Sequence, residues 1–311
     1  MQTKLSSYFK VHIDYNENHK RCFIYDPGSF RAYFASKPED GDTFVVKRTG
    51  VSLYLRSSGD LERFVAPVFK KYPISLLKSN LQKAIRRGRS DVAIATTLAL
   101  LNTDSNEFFR RLAIIYIEDV CLMDSYSIVI WFMMADKDYT LVARDVDIVL
   151  RIVNALCKCT TYFEHTTESV NDYTHELLEV CDGYTDLLSL YYRRLYGGMK
   201  GDMDMLVSAI DYYKSGAGFC VKTQFDPVEP VLELCILNEA IDYHPLPSMI
   251  TALCKRTGFD SDTIKKFIWT VDSGYNYRKM CTVEESSVYR DDPSWLCLAP
   301  HLEIVRQSFL I

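Results

Sequence analysis

Along the 311-residue chain the spacing of hydrophobic positions changes once, near Ile74. Before it, short runs such as Arg21-Cys22-Phe23-Ile24-Tyr25, Thr43-Phe44-Val45-Val46 and Val51-Ser52-Leu53-Tyr54-Leu55 alternate at period two, punctuated by Gly28, Gly41, Gly50 and Gly59. Alternation of this kind, with glycine and aspartate between the runs, predicts strands. Residues 1–73 therefore read as a small β-rich unit and residues 74–311 as a helical domain. The expected fold class is mainly α, a multi-helix array with a small β-rich N-terminal unit.

From Ile74 the spacing is helical and holds to about Asp272. Leu77, Leu81, Ala84 and Ile85 share one face, with Lys83, Arg86 and Arg87 opposite, which predicts an amphipathic basic helix. Gly88 ends it, and Ser90 caps a second helix running through Val92, Ala95 and Leu98 to Leu101. Ser105 or Asn106 opens a third, from Glu107 to about Cys121, and Asp124 or Ser125 a fourth through Trp131. Further helices are expected at about 140–160, 171–195, 203–213, 228–241, 247–256 and 261–272, separated by glycine- or proline-bearing turns. Pro247 to Arg256 and Asp262 to Val271 flank Thr257-Gly258-Phe259-Asp260. That is the outline of a helix-turn-helix, and equally of any αα-hairpin.

Composition narrows the class. An apolar fraction of 48% fills a core without staples, and a net charge of −5 excludes a globally basic nucleic-acid binder, so any electrostatic partner must be met by a local patch. The ten cysteines are scattered singly through apolar stretches, as at Cys121, Cys181, Cys235 and Cys254, which reads as buried thiols in a reducing compartment. Met1-Gln2-Thr3-Lys4 is not followed by an apolar run, and the most apolar stretch, Ile128 to Ala135, is far short of the ~20 residues of a spanning helix. These features lead us to expect a cytoplasmic or nuclear protein that does not enter a membrane.

Candidate chemistry is sparse. There is no G-x-x-x-x-G-K-[ST] loop and no G-x-S-x-G elbow; Gly216-Ala217-Gly218 lacks the rest of a dinucleotide fingerprint, and Gly197-Gly198 reads as a turn. Cys157-Lys158-Cys159 is too tight for half of a zinc site, and His244 between Cys235 and Cys254 fits no ligand spacing. His165 and His175, among Glu164, Glu168, Asp172 and Glu176, read as charged helix surface. No catalytic residue, metal or cofactor is expected. Glu118-Asp119, late in an apolar helix, requires an ion-pair partner, and Arg110 and Arg111 lie one to two turns back.

The clearest electrostatic feature is Lys70 to Arg89, in which Lys70, Lys71, Lys78, Lys83, Arg86, Arg87 and Arg89 occur with no acid between them. Such a run suits phosphate or an acidic protein face, and equally a solvated helix surface. A smaller cluster, Tyr275-Asn276-Tyr277-Arg278-Lys279 after Lys265-Lys266, interleaves aromatics with cations as stacking platforms do, or packs its tyrosines.

Three segments carry a resemblance: Ser79-Asn80-Leu81-Gln82-Lys83-Ala84-Ile85-Arg86-Arg87-Gly88, Asp91-Val92-Ala93, and Phe109-Arg110-Arg111-Leu112 through Glu118-Asp119-Val120. Over about residues 79–135 the chain resembles the helical C-terminal oligomerisation domain, or collar, of clamp-loader-related AAA+ ATPases of the Werner-helicase-interacting, replication-associated recombination family. The ATPase module is absent, and the glycine usual after Glu-Asp-Val is Cys121. The resemblance implies a self-associating helical scaffold in replication or recombination, with Arg110, Arg111, Glu118 and Asp119 as structural ion pairs and no ATP hydrolysis.

The expectation is a non-enzymatic, homo-oligomerising, nucleic-acid-associated protein, with DNA favoured over RNA, and with Lys78, Lys83, Arg86, Arg87, Arg89, Lys265, Lys266 and Arg278 as nucleic-acid contacts. One alternative is a protein-interaction or structural subunit, of viral or other origin, whose basic helix docks an acidic partner. Another is a nuclease-like enzyme with dispersed acids.

Overall fold

The early strands form as their alternation requires. β1 (Arg21–Asp26), β2 (Arg31–Ala35), β3 (Asp42–Arg48) and β4 (Val51–Arg56) make one sheet in the order β2-β1-β4-β3. β1 pairs parallel with β4 and antiparallel with β2, and β3 pairs antiparallel with β4 through an irregularity between Phe44 and Val46. Central β1 buries Cys22, Phe23, Ile24 and Tyr25 in succession, whereas β4 buries only Val51, Leu53 and Leu55, one face of a period-two strand.

The computed structural model describes residues 21–48, 50–56, 62–161, 184–216, 220–242, 247–268 and 291–308. Its helices are α1 (Ile74–Arg86), α2 (Ser90–Thr103), α3 (Ser105–Asp119), α4 (Tyr126–Ala135), α5 (Ala143–Lys158), α6 (Thr185–Leu195), α7 (Lys200–Lys214), α8 (Asn238–Asp242), α9 (Pro247–Thr257), α10 (Ser261–Phe267) and α11 (Pro293–Gln307). A mainly α chain with a small N-terminal sheet is what the patterning predicts.

The described residues fall into two compact units, each assembled from separated stretches: those within residues 1–64, 122–148 and 165–223 form the first, and those within 65–121, 149–164 and 224–311 the second. This grouping differs from a division at residue 73, because the sheet does not stand alone. In the first unit α4 packs on it: Trp131 donates its indole N–H to the Phe23 carbonyl at 3.1 Å, and the Tyr25 ring meets Trp131 and Phe132 at centroid distances of 5.1 and 4.9 Å. A stack runs on from Phe23 through Phe34 to Tyr192 of α6. Being apolar on every side, α4 is buried throughout. Asp145 is buried too, and accepts hydrogen bonds from the Tyr25 and Tyr139 hydroxyls and the Val142 amide. Burial raises its pKa.

The second unit contains α1, α2, α3, the later part of α5 and α8–α11. α9, α10 and α11 close a small apolar core of Met249, Ile250, Leu253, Ile264, Phe267, Leu298, Leu302 and Val305. Several sequence expectations are corrected here. Ser90 is the first residue of α2 and makes no cap; Asp104, not Ser105 or Asn106, caps α3 by accepting from the Glu107 amide at 3.0 Å. The helix expected at 228–241 exists only as α8, and residues 224–237 run without regular structure, with Pro227 and Pro230 unable to donate to a helical ladder. In this stretch Asn80 replaces the ladder, donating to the Cys235 carbonyl and accepting from the Leu237 amide.

Candidate functional site

The basic run, expected to face solvent, is dispersed by the structure. Gly88, just past the Arg87 C-cap of α1, closes the helix at a φ of +68°, with Gly88 N–H donating to Ile85 O and Arg89 N–H to Ala84 O. Along the last two turns, however, Asn80, Gln82, Lys83 and Arg86 are buried together with Leu81, Ala84 and Ile85. Lys83 and Arg86 are therefore not on an exposed face, which corrects their reading as surface contacts.

Their surroundings explain how burial is tolerated. Arg86 donates Nε to Asp119 at the end of α3, Gln82 donates to the other Asp119 oxygen at 2.8 Å, and Arg86 Nη2 lies 3.7 Å from Glu118. Desolvation drives the Lys83 ammonium down to about pKa 7, with Arg86 adding repulsion and Asp119 and Glu118 opposing it. The same desolvation, with Asp119 alongside, raises the Glu118 pKa. Glu118-Asp119 is thus an ion-pair site as expected, but its close partner is Arg86 from another helix. Half-buried Arg110 and Arg111 act at longer range, lowering the Glu107 pKa behind the dominant hydrogen bond from Lys78.

The other expected contacts divide by exposure. Lys78 donates to Glu107 at 2.5 Å, Arg87 is half-buried at the C-cap of α1, and exposed Arg89 pairs with Asp91. Lys265 and Lys266 are exposed in the last turn of α10, where Lys265 Nζ lies 3.7 Å from Asp262. Arg278, with the tyrosine cluster around it, lies outside the described residues, as do His165, His175 and His244.

The helix-turn-helix outline is realised by α9 and α10. Gly258, at φ +76°, donates to the Cys254 carbonyl, and Asp260 caps α10 by accepting from the Asp262 and Thr263 amides, both at 2.9 Å. Lys255 and Arg256, in the last turn of α9, are exposed as well. Sequence reading missed this second pair, although it sits immediately before the glycine turn. Four exposed cations therefore bracket a capped turn on a hairpin held by its own core.

Among the described residues no three histidine, cysteine, aspartate or glutamate side chains are grouped to hold a metal ion, and no helix is long and apolar enough to cross a membrane. The thiols are less buried than expected: Cys121 and Cys157 are buried, but Cys254 is half-buried and Cys235 exposed, while Cys181 lies outside the described residues. No family model, curated protein or solved structure matches the chain.

Proposed function

We propose that the chain is a non-catalytic, DNA-associated protein whose phosphate contacts are made by the α9–α10 hairpin. The observation that carries this reading is the exposure of Lys255, Arg256, Lys265 and Lys266 around one capped turn. The N-terminal turn of α10, the end that reads bases in helix-turn-helix proteins, carries Asp260 and Asp262. Acids there disfavour base reading, so the contact is to backbone phosphate and carries little sequence preference. Self-association in a replication or recombination setting, as the resemblance of residues 79–135 implies, belongs to the same proposal.

A salt titration of binding to a short duplex tests it. Neutralising about four phosphates gives a slope of log Kobs against log salt of about −3 to −4. Replacing the four cations by alanine should flatten the slope by about one for each phosphate no longer neutralised. An unchanged affinity in that variant, or no binding at low salt, overturns the proposal.

A second reading, a protein-docking subunit, is favoured by Val65 and Val68, which are 83% and 97% exposed. A partner retained by the chain after nuclease treatment supports this reading over the first.

A further inference from the structure

The thiols of Cys121 and Cys159 lie 3.8 Å apart in the second unit, in van der Waals contact. Neither belongs to a helix. Cys121 follows Val120, the residue that caps the C-terminus of α3 outside helical geometry (φ −131°), and Cys159 follows Lys158, the last residue of α5. Both residues therefore sit just past helix ends, and their sulfurs must close from 3.8 Å to the bonded distance of about 2.05 Å. Cys121 is buried, while Cys159 is partly exposed and so offers oxidants an entry.

We propose that Cys121 and Cys159 form a reversible modification site, a dithiol that closes to a disulfide on reaction with a peroxide. Cys159 thiolate attacks one oxygen of hydrogen peroxide; the O–O bond breaks, the departing hydroxide takes up a proton to become water, and the sulfur becomes a sulfenic acid. Cys121 thiolate then attacks that sulfur, the S–S bond forms as the S–O bond breaks, and the second hydroxide leaves as water with the remaining thiol proton. The two thiols lose two electrons and the peroxide gains them. A dithiol reductant reverses the step by thiol–disulfide exchange.

The structural consequence is local. The bond fastens the end of α3, which carries Glu118 and Asp119, to the end of α5, closing a loop of chain that is open in the reduced protein.

The full chain is treated with hydrogen peroxide, and the remaining thiols are alkylated before digestion with trypsin and a glutamate-specific protease. That cleavage separates Cys159 from both Cys157 and Cys181. The expected result is a loss of about two mass units per chain, a linked pair of peptides holding Cys121 and Cys159, and a rise in thermal midpoint reversed by dithiothreitol. Cys159→Ser, at the more exposed position, should abolish the linked pair and the rise. The inference is overturned if both thiols are still alkylated once exposed Cys235 and Cys297 have been oxidised, or if Cys121 links to a different cysteine.

Discussion

At the scale of single residues, the most consequential departure from ordinary chemistry is Lys83, buried beside Arg86 and opposed by Asp119 and Glu118. Its pKa of about 7 in the folded protein stands well below the 10.5 of an unperturbed lysine. Between these values the unfolded chain binds a proton that the folded chain does not, so stability rises with pH across that window. Tyr25 and Tyr139 act oppositely, since burial raises both pKa values and their contribution is lost only as pH passes their ordinary value of 10.0. Cys22 and Cys220, whose pKa values burial raises from 9.0, begin to act in the same sense as the tyrosines near pH 9, so the lysine is separated from them by comparing urea midpoints at pH 7 and about pH 9 in the wild type and in a variant without the ammonium. The wild-type midpoint should increase across that interval and that of Lys83→Met should not. Equal increases in the two proteins would assign the effect elsewhere.

At the scale of elements, the Arg86–Asp119 pair ties α1 to α3. Asp119→Ala removes the carboxylate to which the buried Arg86 guanidinium donates and should cost about 3–5 kcal/mol in urea unfolding. A double replacement by apolar residues of similar size, Arg86→Met with Asp119→Leu, should recover most of that loss, because both desolvation penalties disappear together. If Asp119→Ala is neutral, the pair does not hold the helices. This pair also marks how far the sequence was legible. The face, start and glycine stop of α1 follow from spacing alone, and so does the α9–α10 turn, because these depend on neighbours within a few residues. Burial of Lys83 and Arg86 does not follow, because helical spacing assigns charge to solvent while their partners lie more than thirty residues downstream. The same limit hides Asn80, which takes up the Cys235 carbonyl and the Leu237 amide from 155 and 157 residues away, in place of helical bonds. α11 is a different miss: Asp292 accepts from the Ser294 amide and Pro293 occupies the first turn, a readable start signal that Pro300 within the helix obscures.

At the scale of the whole molecule, the change of hydrophobic period near Ile74 separates strands from helices but not one compact unit from the other. The sheet formed before residue 57 shares its compact unit with α4, α6 and α7 from much later in the chain, of which α4 and α6 pack on the strands and α7 on α6. Trp131, Phe132 and Tyr139 pack against one another and meet β1 through Tyr25, and the indole hydrogen bond of Trp131 ends on β1 itself. A fragment of residues 74–311 keeps all of α4 but loses its cover, exposing a helix in which every residue is buried in the intact chain. Burial of large aliphatic and aromatic side chains is worth about 1.5–3 kcal/mol each, and no polar face is available to turn outward in its place. The fragment should therefore aggregate or bind a hydrophobic dye strongly, with the near-ultraviolet tryptophan signal weakened, although far-ultraviolet helicity persists. A division of the chain at residue 73 into self-sufficient parts predicts the opposite, a soluble fragment unfolding cooperatively with its tryptophan signal intact. Circular dichroism and light scattering on that one fragment distinguish the two arrangements, because only a sheet that shares its core with α4 makes the helix insoluble when the strands are removed.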